Sequence, residues 1–183
     1  MSGARTVFKA LLGSMIGLAA FFCVGCETTS KLPPLKLVNK VEIPRFMGTW
    51  YVIANIPTFI EEGAHNATES YELDKDGNIE ITFRYNKDSF DGPVKEYHPK
   101  GFIYDKNSNA EWRVRFLWPF LADYLVIDLA DDYSFTVIGV PSRKYLWIMA
   151  RSKTMDAKTY ANVVERIAAQ GYDISKIQKV PQR

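Results

Sequence analysis

From Trp50 onward, apolar and aromatic residues alternate with polar ones in short runs rich in Tyr, Val, Ile, Phe and Thr. Residues that favour tight turns break these runs about every ten positions, the pattern of an all-β barrel or sandwich. The alternation predicts eight strands, near 48–56, 67–74, 78–86, 94–105, 110–117, 123–129, 133–139 and 145–151. Between them stand Lys75-Asp76-Gly77, Asp91-Gly92-Pro93, the polar stretch 105–109, Asp131-Asp132 and Pro141-Ser142, which turn the chain or cannot continue a ladder. Connections this short make consecutive strands neighbours, so the expected sheet is an antiparallel up-and-down meander. One segment changes period. After Thr154, the expected N-cap, Tyr160, Val163, Val164, Ile167 and Ala168 share one helical face, and Gly171 supplies a stop. This predicts one C-terminal α-helix packed outside the barrel, followed by an extended piece from Tyr172 to Val180 that pairs with an edge.

The first 25 residues follow another rule. Arg5 and Lys9 precede an uncharged apolar run from Ala10 to Gly25, the order of a secretory leader and too short for a comfortable membrane span. The junction Cys23-Val24-Gly25-Cys26 resembles the lipobox of bacterial lipoproteins, with Cys23 where that motif usually has Leu. The resemblance implies cleavage before Cys26 and lipid attachment to it; a disulfide between the two cysteines is the competing reading. Acyl chains on Cys26 would anchor the protein to a membrane. Glu27 is not the Asp that typically retains such lipoproteins on the inner membrane, which implies the outer membrane, with the domain facing the periplasm. Residues 26–43 then form a lipidated N-terminus and Pro-containing tether, and 44–183 a single domain. Removal of the leader leaves one cysteine, so no intrachain disulfide would support the fold.

Charge narrows the partners. The 183 residues carry 23 basic and 21 acidic side chains; Arg5 and Lys9 fall in the leader, which has no acid, leaving 21 of each sign. A neutral domain lacks the basic surplus that nucleic acid or a strongly basic membrane surface would require.

Three blocks carry a family resemblance. Gly48-Thr49-Trp50-Tyr51 at the first strand looks like the lipocalin G-x-W-Y motif, Asp123 to Leu129 followed by Asp131-Asp132-Tyr133 resembles the second lipocalin block, and Tyr145 to Arg151 resembles the third, ending in its arginine. Together with the lipobox they resemble the bacterial lipocalins of the outer membrane, relatives of apolipoprotein D. The resemblance spans about residues 40–181 and implies an eight-stranded lipocalin barrel that holds a ligand. In it Gly48 would bend the chain into the first strand, Trp50 would plug the closed end, and Arg151 would lie across the indole, all structural roles.

If the first strand starts at the closed end, segments near 57–66, 87–93, 118–122 and 140–144 line the mouth. The mouth is apolar, with Phe59 on one loop and Trp118 and Phe120 on another. These residues either guard a greasy entrance, meet a partner such as a second copy of the chain, or fold back onto the barrel. Alternation places Trp112, Val114 and Phe116 inward, and groups His98, Lys100, Phe102 and Tyr104 on one face that would bring polar groups into the cup; Tyr124 and Val126 are further candidates. Such a lining suits an amphiphile, its chain against Phe and Val and its head near Lys or Tyr.

The expected function is therefore a membrane-anchored binding protein for fatty acids or lysophospholipids, serving lipid storage, transport or envelope maintenance. The alternative is an envelope interaction or dimerisation module with an incidental cavity. An enzyme is not expected: His65 and His98 are the only histidines, no Ser sits in a G-x-S-x-G context, and Cys26 would be acylated. The same shortage of ligands speaks against a metal, and no cofactor is expected.

Overall fold

The computed structural model describes residues 32–183. The expected leader 1–25 and the lipid-attachment residue Cys26 lie outside the described residues. The chain enters through a single helical turn, α1 (Ile43–Phe46), and then runs through β1 (Gly48–Ile56), β2 (Ala64–Leu73), β3 (Ile79–Lys87), β4 (Val94–Tyr97), β5 (Lys100–Ile103), β6 (Glu111–Leu117), β7 (Phe120–Leu129), β8 (Phe135–Gly139) and β9 (Leu146–Ala150). Every pairing is antiparallel, and β9 returns to pair with β1 from Tyr51 to Ile56, which closes the sheet into a barrel.

The barrel has eight strands because β4 and β5 are two halves of one. Both pair with β3, at Phe83–Asn86 and at Ile79–Glu80 respectively. The interruption falls at Pro99, which has no N–H to give to the ladder; its carbonyl still accepts from Ile81 N at 3.1 Å.

One end is shut by aromatic packing. Phe46, from α1, lies 5.2 Å from Trp50, 5.6 Å from Tyr71 and 5.3 Å from Trp112, centroid to centroid. Trp50 Nε1 donates to the Phe46 carbonyl at 2.9 Å. Arg151 stacks on the other side of the indole at 3.7 Å and donates to the carbonyls of Thr49, Arg45, Phe46 and Met47 at 2.7 to 3.1 Å. Gly48 stands beside that guanidinium with φ +91, a conformation that costs any residue with a Cβ.

The second core lies outside the barrel. The helix α2 (Ala157–Ala169) is capped by Asp156, which accepts from Thr159 N at 3.0 Å, so the cap is two residues later than the expected Thr154. Its Val163 and Ile167 are buried against Ala54, Leu146, Ile148 and Val137 on the outer wall. Gly171 ends the helix at φ +86.

The C-terminal segment is a wedge. β10 (Gln178–Lys179) pairs with Ala54 and Asn55 of β1, above the level where β1 and β2 are paired. Val180 N donates to Ile53 O at 3.0 Å, Asn66 N to Pro181 O at 2.8 Å, and Gln182 Nε2 to the carbonyls of Val52 and Ala67 at 2.8 and 3.0 Å. The tail thus fills the seam where β1 and β2 splay apart. Barrel, plug, helix and wedge are all built from residues of one compact unit, Leu32–Arg183.

Candidate functional site

Above the aromatic plug the barrel opens into a cavity of roughly 480 Å³, within the range of small-molecule sites. Its walls come from alternate residues of the strands: Ile81 and Phe83 of β3, Val114 and Phe116 of β6, Ala122 and Tyr124 of β7, and Trp147 of β9. The loop between β1 and β2 folds over part of the mouth. Tyr85 donates to the Ile60 carbonyl, and Glu61 accepts from Thr58 N and Oγ1 at 2.7 Å and from Trp147 Nε1 at 2.6 Å. Those bonds tie the loop to two strands.

The carboxyls of the cavity wall are those of Glu61, Glu69 and Asp123. Glu69, from the middle of β2, accepts through Oε2 from the Tyr71 hydroxyl and from the Tyr124 hydroxyl at 3.4 Å. Its Oε1 has no hydrogen-bond partner among the described residues. Burial pushes the Glu69 carboxyl up to about 7, with the nearby Glu61 adding to the shift and the two tyrosine hydroxyls opposing it. Burial likewise raises Glu61, against the pull of its bonds to Trp147 and Thr58. The phenols of Tyr71 and Tyr124 are held well above their ordinary value, chiefly by burial and then by Glu69. The remaining acid of the wall, Asp123, is bridged to Arg113 at 3.1 Å. Among the described residues, no Lys, Arg or His lines the cavity.

Sequence alternation placed only some of its candidates here. Val114, Phe116 and Tyr124 line the cavity. Trp112 and Val126 face inward but lie below it, in the packed core. His98, Lys100, Phe102 and Tyr104 do not face inward, which corrects the expectation for that strand. Directly paired residues share a face, and Ile103 pairs with the inward Trp112, whereas Phe102 pairs with Arg113. The inward positions are therefore Tyr97, Pro99, Gly101 and Ile103. Gly101 sits so close to Ile79 that an added Cβ would lie 3.3 Å from that side chain. On the outer face Lys100 bridges Asp74 and Glu80 at 2.7 Å, Tyr104 lies under Arg113 and Phe102 under Arg115, and His98 is 3.2 Å from Glu96.

At the mouth, Phe59 lines the cavity while 83% exposed; Trp118 and Phe120 are 78% and 72% exposed and stand on the rim outside the lining. They do not fold back onto the barrel. Glu61 and Glu69 were not among the expected site residues. Glu69 carried a signal, since in Ala67-Thr68-Glu69-Ser70-Tyr71 it shares the inward phase with Ala67 and Tyr71. Glu61 is in a loop, where no periodicity exists to place it.

Residues 41–182 match the family described as lipocalin-like domain. The chain is 34% identical to temperature-induced lipocalin-1 of Arabidopsis thaliana, over 81% of this chain and 83% of that one. It is 30% identical to the outer membrane lipoprotein Blc of Escherichia coli K12, over 90% and 92% of the two chains. Among solved structures, insecticyanin from the tobacco hornworm Manduca sexta superposes with a TM-score of 0.64 at 18% identity, covering 81% of this chain and 84% of that one.

Proposed function

The chain belongs to the lipocalin family, and from that premise we propose that it is a membrane-anchored carrier of single-chain amphipathic lipids. One observation carries this reading: a deep cavity with apolar walls opens at a rim of exposed apolar side chains, Phe59, Phe116 and Leu117. An alkyl chain drawn from water into such a space gains about 0.8 kcal/mol per methylene before ordering costs are subtracted. Fatty acids and lysophospholipids are the ligand classes, and lipid storage, transport or envelope maintenance the role. A fatty-acid carboxylate at the depth of Glu69 would meet another carboxyl and no cation, so it binds with its head at the rim, as a lysophospholipid does.

The anchor belongs to the same proposal. Cys26 carries the lipid, residues 26–43 tether the barrel, and the outer membrane is the site, in keeping with the similarity to an outer membrane lipoprotein. A second reading rests on the rim itself: Trp118, Phe120 and Leu121, each more than half exposed, offer an apolar patch for a second copy of the chain. Native mass spectrometry of the soluble domain, starting at Glu27, after exposure to envelope lipid extract separates the two. A stoichiometric adduct with the mass of a fatty acid or lysophospholipid is the expected result. A folded, empty barrel that sediments as a dimer would replace the carrier with the interaction module.

A further inference from the structure

The cavity's charge set points to a more specific guest. We propose that the inner cavity takes the ammonium head of a single-chain amphiphile against Glu69, with the alkyl chain running outward to the apolar rim. This rests on the reading of the barrel as a carrier of single-chain amphiphiles, and adds to the fatty acids and lysophospholipids held with the head at the rim a cationic class held the other way. Three features of the wall meet at one place. Glu69 lines the cavity while only 7% exposed, its Oε2 is occupied by the tyrosine hydroxyls, and its Oε1 is left as an acceptor for a guest. A second carboxyl, Glu61, lines the same cavity and raises the cost of ionising Glu69. The rings of Tyr124 and Trp147 stack at 6.4 Å between them, and Phe83 is paired with Glu69 across the β2–β3 ladder. Aromatic faces around a carboxylate are the environment that attracts an ammonium group.

Electrostatics gives the sign. Two buried carboxyls, with no Lys, Arg or His on the cavity wall among the described residues, form a site that lacks its counter-charge. An ammonium group supplies that charge and hydrogen-bonds Oε1; a carboxylate adds a third negative group to the same apolar space. The orientation follows from the wall above. From Glu69 outward the cavity offers Ile81, Val114, Phe116 and Leu117, and the last two are 55% and 71% exposed at the mouth. A chain laid along them covers the exposed rim.

Three probes of equal chain length test this on the soluble domain from Glu27: dodecylammonium, dodecanoate and dodecanol. They are titrated below micelle concentration at pH 8, with tryptophan fluorescence as readout. At that pH Glu69, pushed up to about 7, is ionised. Dodecylammonium is expected to bind tighter than dodecanoate by about tenfold or more, and Glu69→Gln to shrink that ratio to about threefold or less. Dodecanol binding that persists in Glu69→Gln shows that the variant's cavity is intact. Dodecanoate binding as tightly as dodecylammonium, or a preference that survives Glu69→Gln, would overturn the ammonium site while leaving the carrier reading in place. Failure of all three probes to bind would overturn both.

Discussion

At the scale of single residues, the cavity trades stability for a polar group in an apolar wall. Glu69 is raised in the folded protein from 4.5 to about 7, because burial penalises its ionised form. Its contribution is therefore most favourable below pH 4.5 and is lost as pH rises through about 7. The penalty then levels off at about 3 kcal/mol. Glu61 is raised by the same cause and adds to the same trend. Urea unfolding of wild type should show stability falling between pH 5 and pH 8, whereas Glu69→Gln keeps the tyrosine hydroxyl partners and has a flatter profile. Parallel profiles would refute the assignment. At the closed end, Arg151 ties four carbonyls and one indole together, so Arg151→Ala should cost about 2 to 4 kcal/mol in the same assay. These two residues also differ in legibility. Arg151 and Trp50 stand in recognisable motifs, while Glu69 is legible only as a polar residue at an inward position of an alternating strand.

At the scale of elements, hydrophobic period was an accurate guide wherever a single phase ran through an uninterrupted segment. The helix α2 illustrates it: Val163 and Ile167 lie on the expected face and are buried against the barrel. Ile167→Ala should cost about 2 to 4 kcal/mol, and loss of the Asp156 cap by Asp156→Ala about 1 kcal/mol, both measurable by thermal or urea unfolding. The strand expected at 94–105 shows where the guide fails. His98-Pro99 divides it into β4 and β5, and the glycine on its inner face, Gly101, gives no hydrophobic mark to set the phase. With that mark missing, Phe102 and Tyr104 read as inward residues, although cross-strand register with Arg113 places them outside. The loop between β1 and β2 has no period at all. Its hold on the mouth comes from Tyr85 and from Trp147 through Glu61. Trp147→Phe removes the bond to Glu61, so amide exchange of residues 58–63 should speed up while the barrel strands keep their protection.

At the scale of the whole molecule, the wall closed by the pairing of β9 with β1 is completed by a segment at the end of the chain. Residues 178–183 fill the seam between β1 and β2, a placement that local pattern could indicate only as an extended piece seeking an edge. Ending the chain at Ile177 removes the buried Val180 and leaves the carbonyls of Val52, Ile53 and Ala67 without their partners in the seam. Such a truncation should cost about 2 to 5 kcal/mol and loosen both strands to hydrogen exchange. The barrel so completed, with one plugged end and one apolar mouth, is the form the proposed carrier role requires. Whether a lipid occupies the interior, and not merely the greasy rim, is the central question. It is answered by comparing lipid retention by native mass spectrometry in wild type, in Ala122→Trp, which fills the cavity from its wall, and in Trp118→Ser, which alters only the rim. One lipid per chain in wild type and Trp118→Ser, with none in a folded Ala122→Trp, is the predicted result. Undiminished retention in Ala122→Trp, with loss in Trp118→Ser, would contradict a ligand held inside the barrel.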